Sequence, residues 1–212
     1  MDTGFFRDWL TQAAAVVEAH RDHLTQLDAA IGDADHGINL SRGFGAIMAA
    51  LPDASTPTPG SVLMLAGSTL ISKVGGASGP LYGMAFRQAG KALADASDVD
   101  AEALAGALEA ALAGVQKLGG AREGDKTMVD ALAPAVSAFG RALVDAEPEP
   151  AAFEALAAAA AAGARATVSM QALKGRASYL GERSVGHEDP GAASTALILG
   201  ALRDVALASR ES

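Results

Sequence analysis

Apolar residues in this 212-residue chain recur every three or four positions almost from end to end, and period-two alternation is nearly absent. That spacing lays one apolar stripe along each helix and leaves the opposite face polar. Leu104, Leu108, Ala111, Leu112 and Val115 trace one such stripe, and Leu197, Ala201, Val205 and Ala208 trace another. Runs of β-branched residues bounded by turn residues, which would mark strands, are missing. The pattern predicts an all-α fold of eight antiparallel helices, over roughly 2–27, 38–51, 60–73, 79–94, 100–118, 127–145, 150–173 and 191–209. Only 4% of the residues are aromatic, so the core must come from Ala, Leu, Val and Ile packed helix on helix.

The connections are of two chemical kinds, and they alternate. Pro52–Pro59, Asp95–Val99 and Glu147–Pro150 are Pro- and Asp-rich stops. The other four, Gly32–Gly37, Gly75–Pro80, Gly119–Thr127 and Lys174–Gly191, are rich in glycine, hydroxyls and charge. In an up-and-down array alternate connections lie at the same end. The four unusual loops are therefore expected at one mouth. No linker interrupts the series, so 1–212 reads as one domain.

A formal charge of −9 repels a nucleic-acid backbone, and it makes any anionic ligand depend on a local cation or basic cluster. The absence of cysteine removes disulfides and thiolate metal sites. Asp2, Arg7 and Asp8 interrupt the N-terminus, unlike a secretory leader. No strongly apolar run approaches the ~20 residues that a bilayer requires. A soluble cytoplasmic chain, with neither nucleic acid nor membrane as partner, is the expectation.

Asp28, Asp33 and Asp35 crowd a helix end and a tight turn, where Gly32 and Gly37 admit positive φ. Three such carboxylates repel one another without a counter-ion, and Mg²⁺ takes hard oxygen ligands of this kind. The plainer alternative is an Asx turn in which Asp33 and Asp35 cap the next helix. An EF-hand is excluded, because position twelve counted from Asp33 is Phe44 and not Glu. His36 suits a metal ligand, a base, a phosphate donor or a structural hydrogen bond. Asn39 falls near a helix start, where backbone N–H groups favour anions.

Gly75–Pro80 is either a phosphate cradle of free amides and the Ser78 hydroxyl or a flexible turn. Gly119–Thr127 resembles a P-loop, but Asp125 intervenes before Lys126 and no strand leads in, which excludes a Walker-type NTPase. Gly119 and Met128 remain candidate neighbours of a nucleotide base. Lys174, Arg176 and Arg183 form a small basic cluster in a long loop. Arg176 is the candidate for a bidentate phosphate contact, while Arg183 and Glu182 can instead pair within the loop.

Taken together, Leu27–Gly37, Gly75–Gly83, Gly124–Met128 and Gly175–Ala192 resemble the nucleotide-binding (L) subunit of dihydroxyacetone kinase, nearly end to end and in order. The resemblance implies a barrel of eight antiparallel helices capped at one end by ADP or ATP. It implies two Mg²⁺ ions on Asp28, Asp33 and Asp35. Nucleotide contacts would fall on His36, Gly37, Ile38, Asn39, Ala77, Ser78, Gly119, Met128, Arg176, Asp189, Pro190 and Gly191. The implied activity is phosphoryl transfer to a small keto-sugar held covalently by a separate K subunit, without which the chain is inactive. An M subunit of the phosphotransferase system would rephosphorylate the bound ADP; in other family members ATP exchanges instead. Pairing of two copies as a homodimer is left open. The alternatives are a kinase subunit for another keto-sugar such as erythrulose, and a non-catalytic nucleotide sensor.

Overall fold

A computed structural model describes residues 1–52 and 54–209. Asp53, within the Pro52–Pro59 connection, and residues 210–212, the end of the expected domain, lie outside the described residues. Nine α-helices occur among the described residues: α1 (Thr3–Ala19), α2 (Arg21–Ile31), α3 (His36–Ala50), α4 (Pro59–Lys73), α5 (Ser78–Leu93), α6 (Ala101–Gly119), α7 (Val129–Val144), α8 (Glu149–Ala166) and α9 (Pro190–Ala208). Two short 3₁₀ segments, Thr167–Ser169 and Arg176–Ser184, join α8 to α9. The described chain is all-helical.

Boundaries follow from capping chemistry. The Asp2 carboxylate accepts the N–H of Phe5, and that of Asp100 accepts the N–H of Ala103. Thr58 and Ser61 form a reciprocal capping box ahead of α4, with Pro59 in its first turn. At the far end of α6, Gly120 turns left-handed at φ 60°.

Two expected helices differ. The helix expected over 2–27 breaks at His20 into α1 and α2. Buried Val17, Leu24 and Ile31 keep the same seven-residue spacing through the break, so periodicity cannot reveal a kink of one residue. The second piece runs on to Ile31 and places Asp28 inside a helix. The helix expected over 150–173 stops at Ala166, and much of the segment read as an open loop is 3₁₀ helix with a kink at Gly181 (φ 57°).

Each helix packs on its successor from α3 to α9, α9 packs on α1, and α1 packs on α3; α2 lies against α3 and α9. Phe6, Leu10, Phe44, Leu63, Phe139 and Phe153 fill the interior, and Trp9 donates its indole N–H to the Ile198 carbonyl at 3.0 Å. The α6 stripe is buried as spaced except Leu112, which is half-buried. On α9 the buried stripe is rotated towards Ile198, Leu202 and Ala206, with Ala201 still buried as spaced, whereas Leu197 and Val205 are half-buried and Ala208 is exposed, because α1, α7 and α8 surround this helix. By length and mean hydropathy (1.4) α9 also passes as long and apolar enough for a bilayer span, although Ser194, Thr195, Arg203 and Asp204 interrupt its apolar run. Its buried apolar residues pack among those neighbouring helices.

Helices α4 and α5 meet backbone to backbone. A Cβ at Gly67 would lie 2.6 Å from the Gly83 carbonyl oxygen, and one at Gly83 would lie 2.7 Å from the Gly67 carbonyl oxygen. Gly83→Ala should therefore cost about 1–3 kcal/mol by forced helix separation. Gly45→Ala, which meets open space on α3, should gain about 0.5–1 kcal/mol. Chemical denaturation of the two variants checks both signs.

Candidate functional site

All four glycine-rich loops line one cavity, as the alternation of connections requires. Its wall includes the first residues of α3 (His36), α5 (Ser78) and α9 (Pro190), and Met128 just before α7. The first N–H groups of a helix lack intrahelical partners, and the dipole makes that end positive. Of these four starts, α5 and α7 have no side-chain cap, whereas carboxylates cap α3 and α9.

On one side of the cavity stand the three aspartates. One carboxylate oxygen from each lies within 4.8 Å of the other two. Asp28, in the last turn of α2, is buried, and its Oδ2 accepts the backbone N–H groups of Asp35 (2.9 Å) and His36 (3.1 Å). It does the capping of α3. Asp35 occupies the N-cap position, but its side chain makes no cap bond, so the plainer reading of Asp33 and Asp35 as caps does not hold. The intervening Ala34 is left-handed (φ 60°), a conformation costing roughly 1–2 kcal/mol for a residue with a Cβ. Neither glycine serves positive φ here. A Cβ at Gly32 would lie 2.0 Å from Asp28 Oδ1, and one at Gly37 would lie 2.0 Å from the Arg21 carbonyl oxygen. Both are needed for close approach.

Arg176 Nη2 reaches Asp33 Oδ2 at 3.0 Å, joining the basic loop to the acidic one. His36 is buried, and Nε2 lies 2.8 Å from Ser194 Oγ. Burial lowers its pKa, against the raising influence of Asp28 and Asp35, which favours the neutral ring. Ser194 Oγ contacts Tyr82 Oη at 2.7 Å, and Tyr82 in turn contacts Thr195 Oγ1 and the Gly191 carbonyl. This polar chain ties the start of α3 to α5 and to the first turn of α9. Burial also drives the Tyr82 pKa upward.

Ala77, Ser78, Met128, Arg176, Asp189, Pro190 and Gly191 line the same cavity. Gly119 lines an adjoining cleft with Pro80, Leu81, Val115, Leu118 and Met128. Leu81, Met128 and Lys174 face both spaces. Three candidates are not brought to the cavity wall. Gly37 packs on α2, Ile38 is half-exposed beside Arg21 and Thr25, and Asn39 is buried and accepts a 2.6 Å bond from Arg42.

Sequence reasoning missed the polar partners of the loops. Asp130 accepts the N–H groups of Gly124 (2.5 Å) and Thr127 (2.7 Å). Lys126, left-handed at φ 61°, is buried, and its ammonium donates to the carbonyls of Thr167 (2.6 Å) and His187. The available signal was the Asp125–Lys126 pair that departs from the P-loop pattern in Gly119–Thr127.

Asp189 caps α9 by accepting the N–H of Ala192 at 2.7 Å. Burial pushes its carboxyl up to about 7, with Asp130 raising it further and Lys126 opposing. A folded pKa above the unfolded 3.8 gives stability that is complete below the unfolded value and is lost as pH rises through about 7. Urea unfolding should show Asp189→Asn gaining on the parent protein between pH 5 and pH 8; a constant difference would contradict the burial argument.

Residues 30–204 match the family described as DAK2 domain. The chain is 42% identical over 204 residues to the PEP-dependent dihydroxyacetone kinase, ADP-binding subunit DhaL, of Escherichia coli (strain K12), covering 96% of each chain. It is 40% identical over 181 residues to the L-erythrulose 1-kinase of Mycolicibacterium smegmatis, covering 84% of this chain and 31% of that one. The solved dihydroxyacetone kinase from C. freundii in complex with AMP-PNP and Mg²⁺ superposes with a TM-score of 0.71 at 29% identity, covering 96% of this chain. This chain spans 34% of that kinase.

Proposed function

Because this chain belongs to the DAK2 domain family of dihydroxyacetone kinase nucleotide-binding (L) subunits, we propose that it carries the Mg-bound nucleotide from which a phosphoryl group passes to dihydroxyacetone held on a K subunit. The observation that carries this reading is the group of three carboxylate oxygens within 4.8 Å, set in a cavity ringed by helix starts. The neighbour order of α1 and α3 to α9 is read as an eight-helix antiparallel barrel with the nucleotide at one end. Residues 1–212 are read as one domain of a soluble, cytoplasmic protein.

Asp28, Asp33 and Asp35 fit a pair of Mg²⁺ ions. Asp28 Oδ2 is already occupied by two N–H groups, which leaves its Oδ1 free to turn towards the other two carboxylates. When bound, the ions supply charge neutralisation for the terminal phosphates and the group in flight. The chain's own residues do the rest. Ser78 and the first amides of α5, which has no side-chain cap, receive phosphate oxygens, and Arg176, beside Asp33, balances the charge that transfer spreads over them. The adenine enters the apolar cleft of Leu81, Leu118, Gly119 and Met128. No side chain here need act as general base, because the sugar hydroxyl belongs to the partner.

Exposed apolar side chains suit a docking face for that partner. Ile38, Leu118, Leu173, Tyr179 and Val185 are all large and exposed, and all lie in or beside the four cavity-lining loops. The E. coli relative, 96% covered, is PEP-dependent by name, which favours bound ADP recharged in place by an M subunit. The erythrulose-kinase relative supports a second reading, an ATP-exchanging subunit serving another keto-sugar.

Asp33→Asn should abolish Mg-dependent retention of ADP through gel filtration while the melting temperature stays near that of the parent; normal retention would sink the metal assignment. Reconstitution with K and M subunits and a phosphoenolpyruvate donor should yield dihydroxyacetone phosphate. Nucleotide binding without transfer would favour the sensor reading.

A further inference from the structure

We propose that Lys126 is a positioning residue, which through its ε-ammonium holds the arginine-bearing segment 167–189 in register with the aspartates. The inference rests on the nucleotide reading above only for its consequence on binding, not for the contacts themselves.

Lys126 is 1% exposed and makes no direct ion pair in the described residues. Its ammonium donates instead to the carbonyls of Thr167 and His187, which lie at the two ends of the segment. Those ends are also joined to each other, by Gly186 N–H to the Val168 carbonyl (2.7 Å) and by Asp189 N–H to Thr167 Oγ1 (2.9 Å). A further bond runs from Leu173 N–H to the carbonyl of Asp125, the residue next to Lys126. The segment is therefore a closed loop hung from Asp125 and Lys126, and it presents Lys174, Gly175 and Arg176 to the cavity.

The backbone argues that the side chain matters. At φ 61° glycine would be the unstrained choice if only the turn were required. A buried lysine there carries both the left-handed strain and the desolvation of its charge, which lowers its pKa. Its stabilising neighbours are two carbonyls and the carboxylates of Asp130 and Asp189. A neutral side chain would take one donor from each carbonyl, leave that of Thr167 with the Met170 N–H, and weaken the hold of the loop that bears Met128 on the segment to the bond from Leu173 N–H to Asp125. Arg176 would then no longer be held near Asp33.

The test uses the full chain with Lys126→Met, Lys126→Arg and Arg176→Ala. Hydrogen exchange of the ligand-free protein should show segment 170–188 exchanging faster in Lys126→Met while α1 and α4 to α6 stay as in the parent. ADP affinity with Mg²⁺, by calorimetry, should fall on the order of tenfold or more, and adding Arg176→Ala should cost nothing further. Unchanged exchange in the segment, equal acceleration everywhere, or additive losses would each overturn the proposal. If Lys126→Met does not fold, Lys126→Arg decides: it keeps the charge and should show the same local acceleration to a smaller degree, and parent-like exchange would refute the role. Failure of the parent to bind ADP would instead refute the nucleotide reading, because the exchange result needs no ligand.

Discussion

Asp28 Oδ2 accepts two backbone N–H groups, those of Asp35 and His36, and the geometry of the site descends from those bonds. They set where α3 begins and replace the cap that Asp35 does not provide. The turn before α3 must then pass close over the Asp28 carboxylate, which only glycine at position 32 allows. Asp33 and Asp35 are left with oxygens turned towards Asp28 instead of into capping bonds. His36, placed by the same carboxylate, reaches Ser194 and so joins α3 to the Tyr82 network and the first turn of α9. One buried acid thus organises both the acidic group and the helix starts beside it.

Against a charge of −9, the cavity gathers a few cations and several helix starts. Cationic side chains at the cavity are few, whereas α3, α5, α7 and α9 all begin there. Oriented N–H dipoles need no desolvated charge, and they remain in place at any pH. Arg176 adds a charge at 69% side-chain exposure, paired with Asp33. Lys126 spends its charge on carbonyls that hold the loops together. The cavity is accordingly acidic on the side of Asp28, Asp33 and Asp35 and lined elsewhere by helix starts.

The all-helical character, the alternation of loop chemistry and the trio Asp28, Asp33 and Asp35 were legible in the sequence, because each is written in spacing along one chain. The meeting of the four loops at one cavity followed from helix order alone. The break at His20 was not legible, because the apolar period continues across it. The rotated stripe on α9 was hidden for a different reason: a helix covered on several sides has no single face for periodicity to report. Gly37, Ile38 and Asn39 follow the aspartates closely in sequence, yet α3 turns them towards α2, solvent and Arg42.

By itself, the sequence determined which residue types could build a phosphate and metal site in this protein, and that helices would carry them, since composition and period are local properties. Only the tertiary structure decided which carboxylate caps and which remain free, and that Arg176 faces Asp33. It alone showed that Lys126 ties Thr167 to His187. These are contacts between residues 7 to 143 positions apart, and their geometry comes from packing of helix ends, which no stretch of sequence records.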